Sequence, residues 1–170
     1  MDTLCFAVPQ KIVIDTGPLF DLLLLNYAEA SGHPVAFSKE LRYCDEKRKQ
    51  AILKGFFSQV RCLLTTPGVL AEVHARINHP HHIQKLTRYQ IETFWAETER
   101  YLRLRGLDER LVRFLDMDPP IVRRLGPIDV SLWELAKREK ASILTADDDL
   151  YSECTKGVVS VLHVEDLWKG

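Results

Sequence analysis

Three times in this chain a short apolar run ends and a helix opener follows at once. Lys11-Ile12-Val13-Ile14 stops at Asp15, and Thr16-Gly17-Pro18 then supplies a cap, a flexible turn and a proline suited to a first helical turn. Val60 to Leu64 is followed by Thr65-Thr66-Pro67, the same order of cap and proline. Ser142-Ile143-Leu144-Thr145 gives way to Ala146-Asp147, and one more strand is expected at Val158 to Val164. Strands alternating with helices define an α/β chain, expected as a three-layer α/β/α sandwich around a mostly parallel sheet.

The helical spans follow from the apolar positions between these runs. Leu19-Phe20 and Leu22 to Leu25 predict a strongly buried helix ending near Gly32-His33-Pro34. Ser38 to Phe57 predicts a second, with Leu41, Ile52, Leu53, Phe56 and Phe57 inward and Asp45 to Lys49 on a solvated surface; residues 31–59 thus read as a helical insertion. Thr66-Pro67 opens a helix carrying Val69, Leu70, Val73 and Ile77. Residues 82–125 read as a helical segment, with one or two helices over 82–105, a short one over Asp108 to Leu115, and breaks at Pro119-Pro120 and Gly126-Pro127. Ile128 to Lys140 is amphipathic, with Val130, Leu132, Trp133, Leu135 and Ala136 on a broad apolar face.

A length of 170 residues at 46% hydrophobic composition is enough to bury a core without disulfides, so a single domain over 1–170 is expected. The net charge of -1 supplies no global attraction to polyanions or membranes. Cys5, Cys44, Cys62 and Cys154 are far apart and form no CxxC pair, which predicts a reducing, cytoplasmic setting. The longest apolar run, Leu22 to Leu25, is far too short to span a bilayer, and no targeting segment is expected.

With 24 acidic residues the chain has many carboxylates for its surface, so acids that abut apolar strands need a separate reason. Asp15 and Asp147 stand at the carboxyl ends of predicted strands, the edge where open parallel sheets bind ligands. Glu72 falls on the second turn of the helix opened by Thr66-Pro67, and Asp129 on the first turn after Gly126-Pro127, so both can lean over that edge. A lone acid in such a place is ordinarily a helix cap. Four converging within roughly 5 Å would repel by about 3 kcal/mol per pair at an effective dielectric of about 20. A hard divalent cation relieves that repulsion, and an all-oxygen donor set favours Mg²⁺ or Mn²⁺ over Zn²⁺.

Ile12-Val13-Ile14-Asp15-Thr16, Thr66-Pro67-Gly68-Val69-Leu70-Ala71-Glu72-Val73, and Ile128-Asp129 followed by Leu135-Ala136 and Ile143-Leu144-Thr145-Ala146-Asp147 together resemble a PIN domain. The closest branch is the PilT N-terminus group that includes VapC-type toxin ribonucleases. The resemblance implies a PIN-like fold and a Mg²⁺- or Mn²⁺-dependent endoribonuclease, a hydrolase of RNA phosphodiesters, such as the toxin of a toxin-antitoxin pair. It implies Asp15, Asp129 and Asp147 as metal ligands, with Glu72 completing the catalytic set by orienting the attacking water. Thr16 and Thr145 would fix a carboxylate or touch a phosphate. Asp149 is an accessory ligand or a charge complementing its helix dipole, and Asp148 is the least favoured of the three adjacent acids.

RNA as substrate, an antitoxin protein and a homodimer to which Leu19 to Leu25 contributes are the partners so implied. The segment 31–59 is longer than the compact toxin pattern. A catalytically silent PIN-fold module binding RNA or a protein is the alternative. A phosphatase of the haloacid dehalogenase type needs a second Asp where this chain has Gly17.

Three further groups invite a functional reading. His74, His79, His81 and His82 are closely spaced, but Pro80 interrupts them and no Cys lies nearby, so an ordinary exposed loop is expected before a Zn²⁺ site or a phosphate contact. Arg100, Arg103, Arg105, Arg110, Arg113, Arg123 and Arg124 would suit an RNA backbone beside the acids, or a solvated helix face. Trp95 and Tyr101 would then be stacking partners or core, and Trp133 and Trp168 core or interface residues.

Overall fold

A computed structural model describes residues 7–32, 41–78, 87–157 and 159–169. Five strands, β1 (Lys11–Ile14), β2 (Cys62–Thr65), β3 (Asp108–Glu109), β4 (Ser142–Thr145) and β5 (Val161–His163), form one sheet in the order β3-β2-β1-β4-β5. Every pairing is parallel. The helices are α1 (Thr16–Ser31), α2 (Lys47–Gln59), α3 (Pro67–Asn78), α4 (Arg88–Arg105), α5 (Pro119–Leu125), α6 (Pro127–Glu139) and α7 (Asp148–Thr155), with single 3₁₀ segments at Phe114–Asp116 and Val164–Trp168. They flank the sheet as a three-layer α/β/α sandwich.

A parallel sheet is covered on both faces, which is why its strands read as continuous apolar runs. Val13 lies opposite Leu64 on one side and Ile143 on the other, and Ile12, Val13, Ile14, Ile143 and Leu144 are fully buried. From β1 the chain passes outward to β2 and β3, then returns to the other flank for β4 and β5. The reversal falls between β1 and β4, and a crevice opens there beyond the strand ends.

Helix α1 is apolar nearly all round because it is packed nearly all round, against α2, α3, α4 and β4. Leu19, Phe20 and Leu22 to Leu25 all lie in the core. That corrects the expectation that Leu19 to Leu25 contributes to a homodimer, since those side chains are already covered within the chain. The helix ends at Gly32, whose φ of +68° is the left-handed turn expected of a helix C-cap.

Several boundaries differ from the sequence reading. The second helix begins at Lys47, after an irregular stretch over 41–46; residues 33–40 lie outside the described ones. Asp45 and Glu46 are indeed on the surface, both paired to Lys49. The segment over Asp108 to Leu115 is not a helix. Its start is captured by β2, with Asp108 opposite Leu64 and the Arg110 N–H donating to the Thr65 carbonyl, so an edge ladder overrides local helical preference. Pro119-Pro120 opens α5 rather than breaking the chain, proline being tolerated in a first turn where the N–H has no partner. The final strand is confined to Val161–His163. No described helix is long and apolar enough to cross a membrane.

Candidate functional site

The crevice between the carboxyl ends of β1 and β4 gathers the acids picked out by the sequence. Asp15 follows β1 directly and caps α1. It is buried, one carboxylate oxygen accepting from the Thr16 N–H and the other from the Thr145 hydroxyl at 2.7 Å. Thr145 is the last residue of β4 and also accepts from the Asp147 N–H at 2.9 Å. A single hydroxyl therefore joins the ends of the two central strands. Asp147 caps α7 by accepting from the Leu150 N–H at 2.8 Å, which places its carboxylate at the mouth rather than along the helix.

Glu72 arrives from the other side of the sheet edge. Its carboxylate accepts from the Thr16 hydroxyl at 2.5 Å, so Thr16 ties α3 to the first turn of α1. Asp129 is brought over the same edge by a close approach of two helix starts. A Cβ on Gly68 would lie 3.1 Å from the Ile128 side chain, and the Thr66 and Ser131 hydroxyls are hydrogen-bonded at 3.1 Å. Glycine in the first turn of α3 leaves room for this approach, which a larger residue would tighten.

The electrostatics record the convergence. Burial pushes the Asp129 carboxyl up to about 7, reinforced by the charges of Asp15, Asp147, Glu72 and Asp149. Asp15 is likewise raised, chiefly by burial, against hydrogen bonds from Thr145 and Thr16 that lower it; Glu72 and Asp147 raise it further. Asp129 accepts no hydrogen bond from the described residues. The neighbours that act on it are other carboxylates, which is the reverse of a stabilised surface acid.

Among the described residues no three Asp, Glu, His or Cys side chains are drawn together tightly enough to hold a metal ion as they stand. The donor chemistry fits a hard divalent cation, because the side chains facing one another are carboxylates and hydroxyls. Asp149 is close enough to act on Asp129, whereas Asp148 is almost wholly exposed and turned toward His163.

The other candidates are elsewhere. His74 stacks on Trp95 and hydrogen-bonds Asn78; His79, His81 and His82 lie outside the described residues. The arginines are largely engaged locally: Arg100 with Glu97, Arg103 with Glu99, Arg110 with Asp108, Arg113 with Asp116 and Arg124 with Glu153. Arg105 lies over Tyr101, and Arg123 is exposed on α5. Trp95 packs edge-on against the core residue Phe94, and Trp133 lies under Lys137. None of the described members of these groups joins the acidic crevice. Residues overlooked in the sequence are Asp21 and Tyr43, which meet on the face of α1 next to the site; the visible signal was a lone acid inside the apolar run Leu19 to Leu25. Neither a protein-family model nor a curated protein matches the chain.

Proposed function

We propose that the chain is a Mg²⁺- or Mn²⁺-dependent endoribonuclease of the PIN type, hydrolysing RNA phosphodiester bonds at the carboxyl edge of β1 and β4. The observation that carries this reading is Asp129: a half-buried carboxyl, raised to about 7, facing Asp15, Asp147, Glu72 and Asp149. A half-buried carboxyl among other carboxylates favours a bound divalent cation, and that cation would in turn attract the RNA phosphate. Asp15, Asp129 and Asp147 would hold the ion. When bound, it would lower the pKa of a coordinated water and neutralise charge on the departing oxygen.

The chain's own groups have separable tasks. Thr145 fixes the rotamer of Asp15 and, through the Asp147 N–H, the start of α7. Thr16 holds Glu72 across the crevice, in a position to orient an attacking water and accept its proton. A toxin role, an antitoxin partner, a homodimer and a cytoplasmic setting belong to the same proposal.

A silent PIN-fold module is the second reading, favoured by the absence of a preformed metal group among the described residues. Calorimetric titration with Mn²⁺ separates the two: the nuclease binds the ion and cleaves RNA in a chelator-sensitive way. No heat at millimolar Mn²⁺ together with no cleavage would leave the silent module standing.

A further inference from the structure

Asp21 is buried on α1, yet its carboxylate forms no ion pair with the described residues. It accepts instead from three consecutive backbone N–H groups, those of Arg42, Tyr43 and Cys44, and from the Cys44 thiol, at 2.9 to 3.2 Å. The segment leading into α2 is thereby fastened to one point on α1. Gly17 lies four residues before Asp21, so it stands on the same helix face, one turn nearer the N-terminus and the crevice.

The Tyr43 side chain bridges that turn. A Cβ on Gly17 would lie 2.8 Å from Cε2 of Tyr43 and 3.4 Å from its hydroxyl oxygen, so the hydroxyl end of the ring lies on Gly17. The next residue toward the crevice is Thr16, which holds Glu72. The ring is half-buried against the core, and among the described residues its hydroxyl has no hydrogen-bond partner. Arg42, beside it, is exposed and forms no ion pair with the described residues. A buried acid thus holds an aromatic hydroxyl at the rim of the site, where it satisfies nothing among the described residues.

We infer that Tyr43 is a substrate-contact residue, its hydroxyl donating to a phosphate oxygen of a single-stranded RNA entering the crevice, with Asp21 as its positioning residue. This rests on the ribonuclease reading for the identity of the strand. The geometry suits a nucleotide adjacent to the scissile bond: Tyr43 lies beside the first turn of α1, whereas Asp129 and Asp147 come from α6 and the start of α7. Gly17 is required because any side chain there would push the ring off the helix.

The test has two readouts. In Ca²⁺ buffer, anisotropy of a labelled single-stranded RNA should show Tyr43→Phe binding about tenfold more weakly than the unsubstituted chain, the effect of losing one hydrogen bond to a charged group. In Mn²⁺, the same variant should raise KM by about that factor while kcat stays within about twofold. Melting temperature should be unchanged, because the ring remains. Gly17→Ala, which displaces the ring without removing it, should reproduce the KM effect, and Asp21→Asn, which retains part of the clamp, should give a smaller one.

Unchanged affinity and KM in Tyr43→Phe, with cleavage intact, overturns the Tyr43 assignment alone. Tyr43-dependent RNA binding without any Mn²⁺-dependent cleavage leaves the contact standing and overturns the nuclease reading. Failure of the unsubstituted chain to bind RNA at all overturns the contact as well.

Discussion

Asp15 and Asp21 lie less than two turns apart, one capping α1 and one within it. Both are buried, and burial raises both carboxyls. Their surroundings are opposite. Asp21 is met by four donors, so among the described residues its charge is spent on fastening residues 42–44. Asp15 is met by two donors and then by Glu72 and Asp147, and its own charge acts on Asp129. Burial alone therefore does not distinguish a structural acid from a chemical one; the charges it faces do.

The comparison fails first if Asp21 proves dispensable. Asp21→Ala leaves three backbone N–H groups without their acceptor, and chemical denaturation should show a loss of about 3 kcal/mol. A loss near zero would mean that the clamp is not holding the loop. Asp129→Asn should have the opposite profile, remaining folded while RNA cleavage in Mn²⁺ falls on the order of 100-fold or more, since even partners outside the metal's own ligands cost 10- to 100-fold. Cleavage unaffected by that change would remove Asp129 from the site.

A smaller effect comes from pH. Asp129, with an ordinary carboxyl near 3.8 and a folded value of about 7, binds its proton more tightly in the folded chain than in the unfolded one. Stability in chelator should therefore be highest below about pH 4 as far as this group is concerned, and should decline through pH 7, by about 1–2 kcal/mol after allowance for its partial exposure. Asp15 adds in the same direction. In Asp129→Asn the decline should be shallower, and Mn²⁺ at pH 7 should raise the melting temperature of the unsubstituted chain more than that of the variant. Equal slopes in the two proteins would show that Asp129 is not raised in the folded chain. The smallest effect expected is for Thr16→Val, about 1 kcal/mol by denaturation, because Glu72 is partly exposed and water replaces the lost donor.

Legibility in the sequence varied with the range of the interactions involved. The starts of α1, α3, α6 and α7 could be read because cap, proline and apolar run are adjacent in the chain. Asp15 and Asp147 were legible for the same reason, as residues where a strand ends. The two-residue β3 was not, since Asp108–Glu109 has no strand propensity and is held by its pairing with β2. Nor was the double proline at 119–120, which suits either a break or a first turn until the surrounding chain is packed. Tyr43 had no local signal at all: its position depends on Asp21, which is 22 residues away.

Local chemistry alone determined that this chain is an α/β protein with acids at its strand ends, because propensity, capping and hydrophobic period act over a few residues. Tertiary structure decided which acids face one another. Thr145 joining Asp15 to the start of α7, Gly68 admitting Ile128, and Thr16 reaching Glu72 are contacts between residues from 56 to 130 positions apart. They depend on the order β3-β2-β1-β4-β5, which closes α1, α3, α6 and α7 around one edge. Charge repulsion is screened over roughly 10 Å, so only that folding topology lets carboxylates so far apart in the chain act on one another.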